Sequence, residues 1–229
     1  MTAHQTVKDT QQQFVGAMGP ALGTLFWSLW NECAWLHWKW MEYLALFGTK
    51  PERVELLNEA AGPFFRLVQD SLWDEMLLHI CRLTDPPKSA GKENLTLRRL
   101  PALAAPEIRP CGEVLVDKAL CACKFAREWR NRRIAHRDLA LALERGATPL
   151  APISRQAVDG ALNSIVALLD AIQLHYQEAT TAYRMGPAVG GAEALLDVLR
   201  DGLEADRQRR KRLLGGKPLP EDAKPRPPV

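Results

Sequence analysis

Apolar side chains recur along this chain at three- and four-residue intervals, the spacing of a helix face, and no stretch alternates with the period of two that a half-buried strand needs. Trp27, Trp30, Ala34, Trp38, Met41 and Ala45 draw one stripe, widened by Trp35 and Trp40, and predict a first helix from about Val7 to Phe47 that Gly48 ends. Phe64, Leu67, Val68, Leu72, Met76, His79, Ile80 and Leu83 predict the inward face of a second helix, which starts at Pro51, kinks at Gly62-Pro63 and stops before Asp85-Pro86-Pro87. His79 on that face reads as a core histidine rather than as a second catalytic base. After a polar loop over 86–93, the run from Asn94 to Leu100 predicts a short helix capped by Asn94. A fourth helix, from about Cys111 to Asp138, carries Leu115, Ala119, Ala122, Ala126 and Trp129 on one line. A fifth, capped by Ser154, carries Val158, Leu162, Ile165, Leu169, Ile172 and Tyr176. Four long helices with short connections and one short extra helix predict an all-α bundle.

Gly186-Pro187 and Gly190-Gly191 read as a hinge, which divides the chain into a helical bundle over 1–186 and a basic arm over 187–229. The arm holds a sixth helix, from about Ala192 to Leu214, that ends in the basic run Arg207 to Arg212; the Pro-rich segment after Gly215 has the composition of a disordered tail. Such a run suits RNA, DNA or an acidic partner, and equally a solvated helix end.

The sharpest change in pattern lies at the end of the fourth helix. From Arg127 to Asp138, five arginines surround a single histidine, directly after an apolar line that has no reason of its own to become so basic. Continued at the same spacing, that line reaches Arg133 and then His136. On an unbroken helix Arg130 and His136 would point ~120° apart, whereas Arg132 and His136 would be nearly aligned. If Arg130 and His136 cooperate, the helix must end between them or a second subunit must help. The plain alternative is a solvated helix end whose cations favour the negative pole of the helix dipole.

Composition narrows the chemistry. With 229 residues of which 47% are hydrophobic, the chain is long enough for one substantial core, and a net charge of only +3 means that nucleic-acid binding would have to come from local patches. Arg98, Arg99, Arg82 and Lys88 would extend the basic patch if the connection between the second and fourth helices folds back beside it. Five cysteines, an odd number, with a polar stretch from Met1 to Gln13 that lacks a basic start and an apolar core, point to reduced thiols and a cytoplasmic location. Cys121 and Cys123 are the one close pair, and without a second Cys/His cluster they read as packing residues, so neither a metal nor a cofactor is expected. Leu25 to Phe47 is rich in tryptophan, but Glu32, His37, Lys39 and Glu42 interrupt it, so no membrane span is expected there.

Arg130, the polar Asn131 immediately after it, and His136 beyond four further residues resemble the Arg-polar-x(3–5)-His signature of HEPN domains, which are helical and frequently ribonucleolytic. The longer string from Trp129 to Asp138, with Leu78 to Pro86 and Asn94 to Leu100 upstream, is similar to the AbiU2-like branch of that superfamily, over roughly residues 20–185. The resemblance implies a homodimeric, metal-independent endoribonuclease. In it His136 moves protons, Arg130 clamps phosphate, Asn131 orients, and Arg127, Arg132, Arg133 and Arg137 hold the RNA backbone. Asp138 would set the His136 tautomer or pair with Arg137 or Arg133. The resemblance alone also implies bacterial abortive infection or a toxin–antitoxin system, with RNA, a second copy of the chain and an antitoxin protein as partners. Two alternatives stay open: a non-catalytic helical dimer module that binds RNA or protein through the same stretch, and a purely structural dimer module.

Overall fold

The structure, a computed structural model, describes residues 7–135, 139–143, 148–184 and 190–222. Its elements are α1 (Val7–Met18), α2 (Pro20–Tyr43) with a π-turn over Leu44–Gly48, α3 (Pro51–Thr84), a hairpin of β1 (Lys88–Ser89) and β2 (Lys92–Glu93), a 3-10 turn (Leu97–Arg99), α4 (Leu100–Leu103), α5 (Arg109–Ala122), α6 (Lys124–Trp129), a π-turn over Arg130–Ile134, α7 (Leu139–Ala142), α8 (Arg155–Gln177) and α9 (Ala192–Leu214). The fold is helical, as expected; the two-residue strands of the hairpin are the one departure from helix and loop among the described residues.

Two Gly-Pro dipeptides act differently. Gly19, with φ of +79°, ends α1 and Pro20 opens α2, so the single first helix expected from Val7 to Phe47 is two helices. Gly62-Pro63 kinks α3 without ending it, the break falling at Ala61 (φ −164°, ψ 62°). Ser154 caps α8 as expected, its hydroxyl accepting from Ala157 N at 3.1 Å. The short turn is capped by Thr96 rather than Asn94. Asn94 instead ties down the hairpin, donating to Pro86 O and Ser89 Oγ at 2.8 Å each.

The chain forms two compact units, one of residues 1–40 and 71–185 and the other of 41–70 and 186–229. In the first, α8 is the central helix and α5 its main neighbour. Val158, Leu162, Ile165, Leu169 and Ile172 of α8 are all 2% exposed or less, each burial contributing roughly 1.5–3 kcal/mol. On α2 the buried line is Leu22, Phe26, Leu29, Cys33, Leu36 and Trp40, offset from the expected stripe. Trp27 and Trp30 are half-buried, while Trp35 and Trp38 are exposed and stack on each other at 5.4 Å. A tryptophan taken into the core must lodge a ring N–H as well as a large apolar body, and the fully buried Trp40 and the half-buried Trp30 both do so. Trp40 donates to Asp159 Oδ1 and Trp30 to Thr181 Oγ1, both at 2.9 Å.

In the second unit, Leu46, Leu57 and Phe65 form one core with Ala192 and Leu196 of α9. Glu42 caps α9, its carboxylate accepting from Ala192 N at 2.6 Å, and Arg53 donates to Ala45 O at 2.7 Å and to Glu193 at 2.9 Å. Phe64 and Leu67, expected inward, are 59% and 68% exposed, and Phe65 rather than either of them enters the core of this unit. Beyond Gly215, where the composition is that of a disordered tail, Arg212 forks onto the Asp222 carboxylate at 2.7 and 2.8 Å, and Leu219 N donates to it at 2.9 Å. The expected hinge at Gly186-Pro187 and the tail beyond Asp222 lie outside the described residues.

Candidate functional site

Arg130 is placed by the packing of α5 and α6. Their buried positions are Gly112, Val116, Ala119, Cys123 and Ala126, and the next step at that spacing is Arg130. The expected line through Leu115 and Trp129 toward Arg133 is therefore displaced by one position: Leu115 and Trp129 are half-buried and Arg133 is exposed. Small residues surround this stretch on several sides, so the sequence leaves the inward face open. Packing on α8 decides it, with a local break at Cys123 (φ −92°, ψ 3°). The buried line thus ends in a guanidinium, which must find a partner.

That partner is Asp85, just beyond the C-terminus of α3, where Pro86 prevents another helical turn. Arg130 Nη1 donates to Asp85 Oδ1 at 2.9 Å and Oδ2 at 3.2 Å, and Arg127 Nη1 donates to Oδ1 at 2.7 Å. Arg127 Nη2 also donates to Thr84 O at 3.0 Å, a cation on the carbonyl end of α3, where the helix dipole favours it. Arg130 Nε donates to Asn131 Oδ1 at 3.1 Å. Two arginines thus share one carboxylate, and the three groups together carry a net positive charge.

The other sequence-predicted residues do not converge on that point. Arg132 reaches Thr148 O at 2.7 Å and lies 3.4 Å from Glu128, while the Arg133 guanidinium covers the Trp129 ring at 5.2 Å. Trp129 Nε1 donates to Ala151 O at 3.0 Å. From Arg130 the chain leaves the α-helix for a π-turn closed by Ala135 N donating to Arg130 O at 2.8 Å, so α-helical spacing does not hold beyond Arg130. His136, Arg137 and Asp138 lie outside the described residues. Of the residues expected to extend the basic patch, Arg99 is engaged locally, donating to Asn94 O at 2.8 Å and Pro87 O at 2.6 Å, and Arg82 pairs with Glu75 at 2.6 Å.

Beside Asp85 opens a cleft of about 520 Å³ lined by Glu32, Arg82, Leu83, Asp85, Glu93, Asn94 and Leu95. Behind Glu32 lies His79, 2% exposed, a core histidine held within a polar network. Its Nδ1 is 3.3 Å from Lys39 Nζ, and its Nε2 is 2.7 Å from Glu32 Oε2 without the alignment of a hydrogen bond. Burial, reinforced by Lys39, pushes the His79 pKa down to about 4, so the ring is neutral near pH 7. Glu75 joins the network: burial raises its pKa, but hydrogen bonds from Lys39 and Arg82 outweigh that and hold it below the ordinary carboxylate range. Burial also pushes the nearby thiols of Cys81 and Cys123 up to about 11 and about 12, which leaves them protonated and weakly nucleophilic. Among the described residues no group of three or more His, Cys, Asp or Glu is arranged to hold a metal ion.

Sequence alone assigns Asp85 no role at the site, although Asp85 lies within an upstream segment that carries the family resemblance. The one available signal is a carboxylate at a helix end in a chain with an arginine cluster elsewhere, and such a signal names no partner.

No curated protein and no solved structure matches the chain. The sequence model of the AbiU2 family of HEPN domains matches residues 20–195, a span that includes α2 to α8, the Asp85 turn and the whole Arg127 to Asp138 stretch. This chain belongs to the AbiU2 family of HEPN domains, the group related to abortive infection.

Proposed function

We propose that the protein is a metal-independent endoribonuclease that acts as a homodimer in a bacterial abortive-infection or toxin–antitoxin setting. The observation that carries the reading is the state of Arg130: the arginine of the family signature is held in one orientation by Asn131 and Asp85, with Arg127 beside it, as a phosphate clamp requires. His136 is assigned proton transfer on the strength of its place in the signature. The ribose 2′-OH gives up its proton as O2′ attacks the adjacent phosphorus, the bond from phosphorus to O5′ breaks, and the leaving oxygen takes a proton. The products are a 2′,3′-cyclic phosphate and a 5′-hydroxyl. In-line displacement sets O2′ and O5′ on opposite sides of the phosphorus, beyond the reach of one imidazole, so a second copy of the chain supplies the second Arg/His pair. Arg132, Arg133 and Arg137 hold the RNA backbone, and an antitoxin protein is the partner that would restrain the activity in the cell.

The test is to incubate the protein with total bacterial RNA in excess chelator, beside folded His136→Ala and Arg130→Ala variants. The expected result is discrete fragments with 5′-hydroxyl ends from the wild type alone. Salt-sensitive RNA binding with no cleavage would replace this reading with the non-catalytic binding module.

A further inference from the structure

Arg130 is held along two edges of its guanidinium, by Asn131 at Nε and by both Asp85 oxygens at Nη1, and among the described residues Nη2 has no acceptor. Asp85 is itself fixed. Its backbone carbonyl is 2.8 Å from the hydroxyl of the fully buried Thr96, which also reaches Leu83 O at 3.0 Å, and Arg127 grips both the Asp85 carboxylate and the final carbonyl of α3. The carboxylate cannot follow Arg130 if the arginine swings, so it acts as an anchor rather than as a mobile counter-ion.

We infer that Asp85 is the positioning residue that sets the direction of Arg130 toward the scissile phosphate, an assignment that rests on the ribonuclease reading. Asp85 takes no proton and forms no bond to RNA. As O2′ bonds to phosphorus and O5′ departs, negative charge grows on the two non-bridging phosphate oxygens, and a guanidinium pinned at Nε and Nη1 presents Nη2 to that charge without first reorganising. The carboxylate also removes one of the two positive charges that Arg127 and Arg130 would otherwise present. The site therefore gives up some affinity for RNA in the ground state in exchange for a fixed donor direction.

Three roles for Asp85 predict different outcomes. A mask over Arg130 would make cleavage faster once the carboxylate is removed. A plain staple between α3 and α6 would lower stability and leave the turnover of folded molecules unchanged. Positioning predicts slower chemistry with RNA binding retained or tightened.

Wild type, Asp85→Asn, Asp85→Glu and Arg130→Ala are compared under single turnover on an RNA oligonucleotide carrying a cleavage site mapped in total bacterial RNA, with binding measured separately across a salt series. Expected for Asp85→Asn is a cleavage rate lower by roughly 10- to 100-fold, with Kd unchanged or lower and a salt slope steeper by about one. Asp85→Glu keeps the charge but lengthens the arm, should fold if Asp85→Asn does not, and should fall between wild type and Asp85→Asn. Adding Arg130→Ala to Asp85→Asn should cost little more than Arg130→Ala alone, since both act through one guanidinium. Asp85→Asn or Asp85→Glu cutting at the wild-type rate or faster overturns the inference.

If wild type leaves RNA intact, the ribonuclease reading fails, and the anchoring is then judged from the Arg130 side-chain Nε–H resonance, identified by its loss in Arg130→Ala. It should stand apart from the exposed arginines in wild type and collapse toward them in Asp85→Asn. A resonance that Asp85→Asn leaves unmoved overturns the inference whatever happens to RNA.

Discussion

Lowering the pH should destabilise this protein in a window set by two buried histidines, and His37 is the cleaner of the two. It is 2% exposed, stacks on Tyr183 at 5.3 Å, and neither ring nitrogen has a hydrogen-bond partner among the described residues. Burial, with Arg184 nearby and Asp159 in partial opposition, pushes its pKa from 6.5 down to about 4. The folded state therefore binds fewer protons than the unfolded chain between those values, so stability is complete above pH 6.5 and falls as the pH drops toward 4. The linkage relation puts the loss at about 2 kcal/mol between about pH 7.5 and about pH 5, and at about 3 kcal/mol once the folded ring is protonated. His37→Leu removes this proton uptake and a ring whose nitrogens are unsatisfied, at the expense of the stacking on Tyr183. It should match the wild type within about 1 kcal/mol at about pH 7.5 and exceed it by about 2 kcal/mol at about pH 5. Urea unfolding of both proteins at the two pH values reads this directly. A wild-type midpoint unmoved by pH, or a His37→Leu variant as acid-sensitive as the wild type, would refute the reasoning.

Gly23→Ala should lower the melting temperature by roughly 2–12 °C, because the added Cβ would lie 2.6 Å from Phe14 O and Val15 Cα, both backbone atoms that move only with α1. Gly16→Ala, with open space around it, is the control that should leave the melt unchanged or raised. Asp222→Asn frees Arg212 from its carboxylate partner, so if the basic run of α9 touches RNA, log K against log salt should steepen by about one; an unchanged slope would remove that run from RNA contact.

The sequence by itself determined the helical class, because the three- and four-residue spacing of apolar side chains is a local property of the chain. It determined most punctuation for the same reason: Ser154 begins α8, Gly62-Pro63 kinks α3, and α9 runs over the stretch that its pattern predicts. On α8, where one line of large aliphatics has no rival, the buried face was legible too. On α2 and on α5 with α6 it was not. There, tryptophans or small residues occupy several lines at once, periodicity gives the pitch without the phase, and packing between helices chooses the inward line. That choice made Arg130, rather than Arg133, the end of the buried face. Likewise the sequence displayed the arginine cluster but not its counter-charge: Asp85 lies 42 residues from Arg127 and 45 from Arg130, and only the meeting of the α3 terminus with α6 joins them. His79 gained Lys39 and Glu32 in the same way, and Arg212 gained Asp222. Helical period is written in neighbours along the chain; the partner of a buried charge is decided by which elements pack together, since only there does desolvation force each charge to find one.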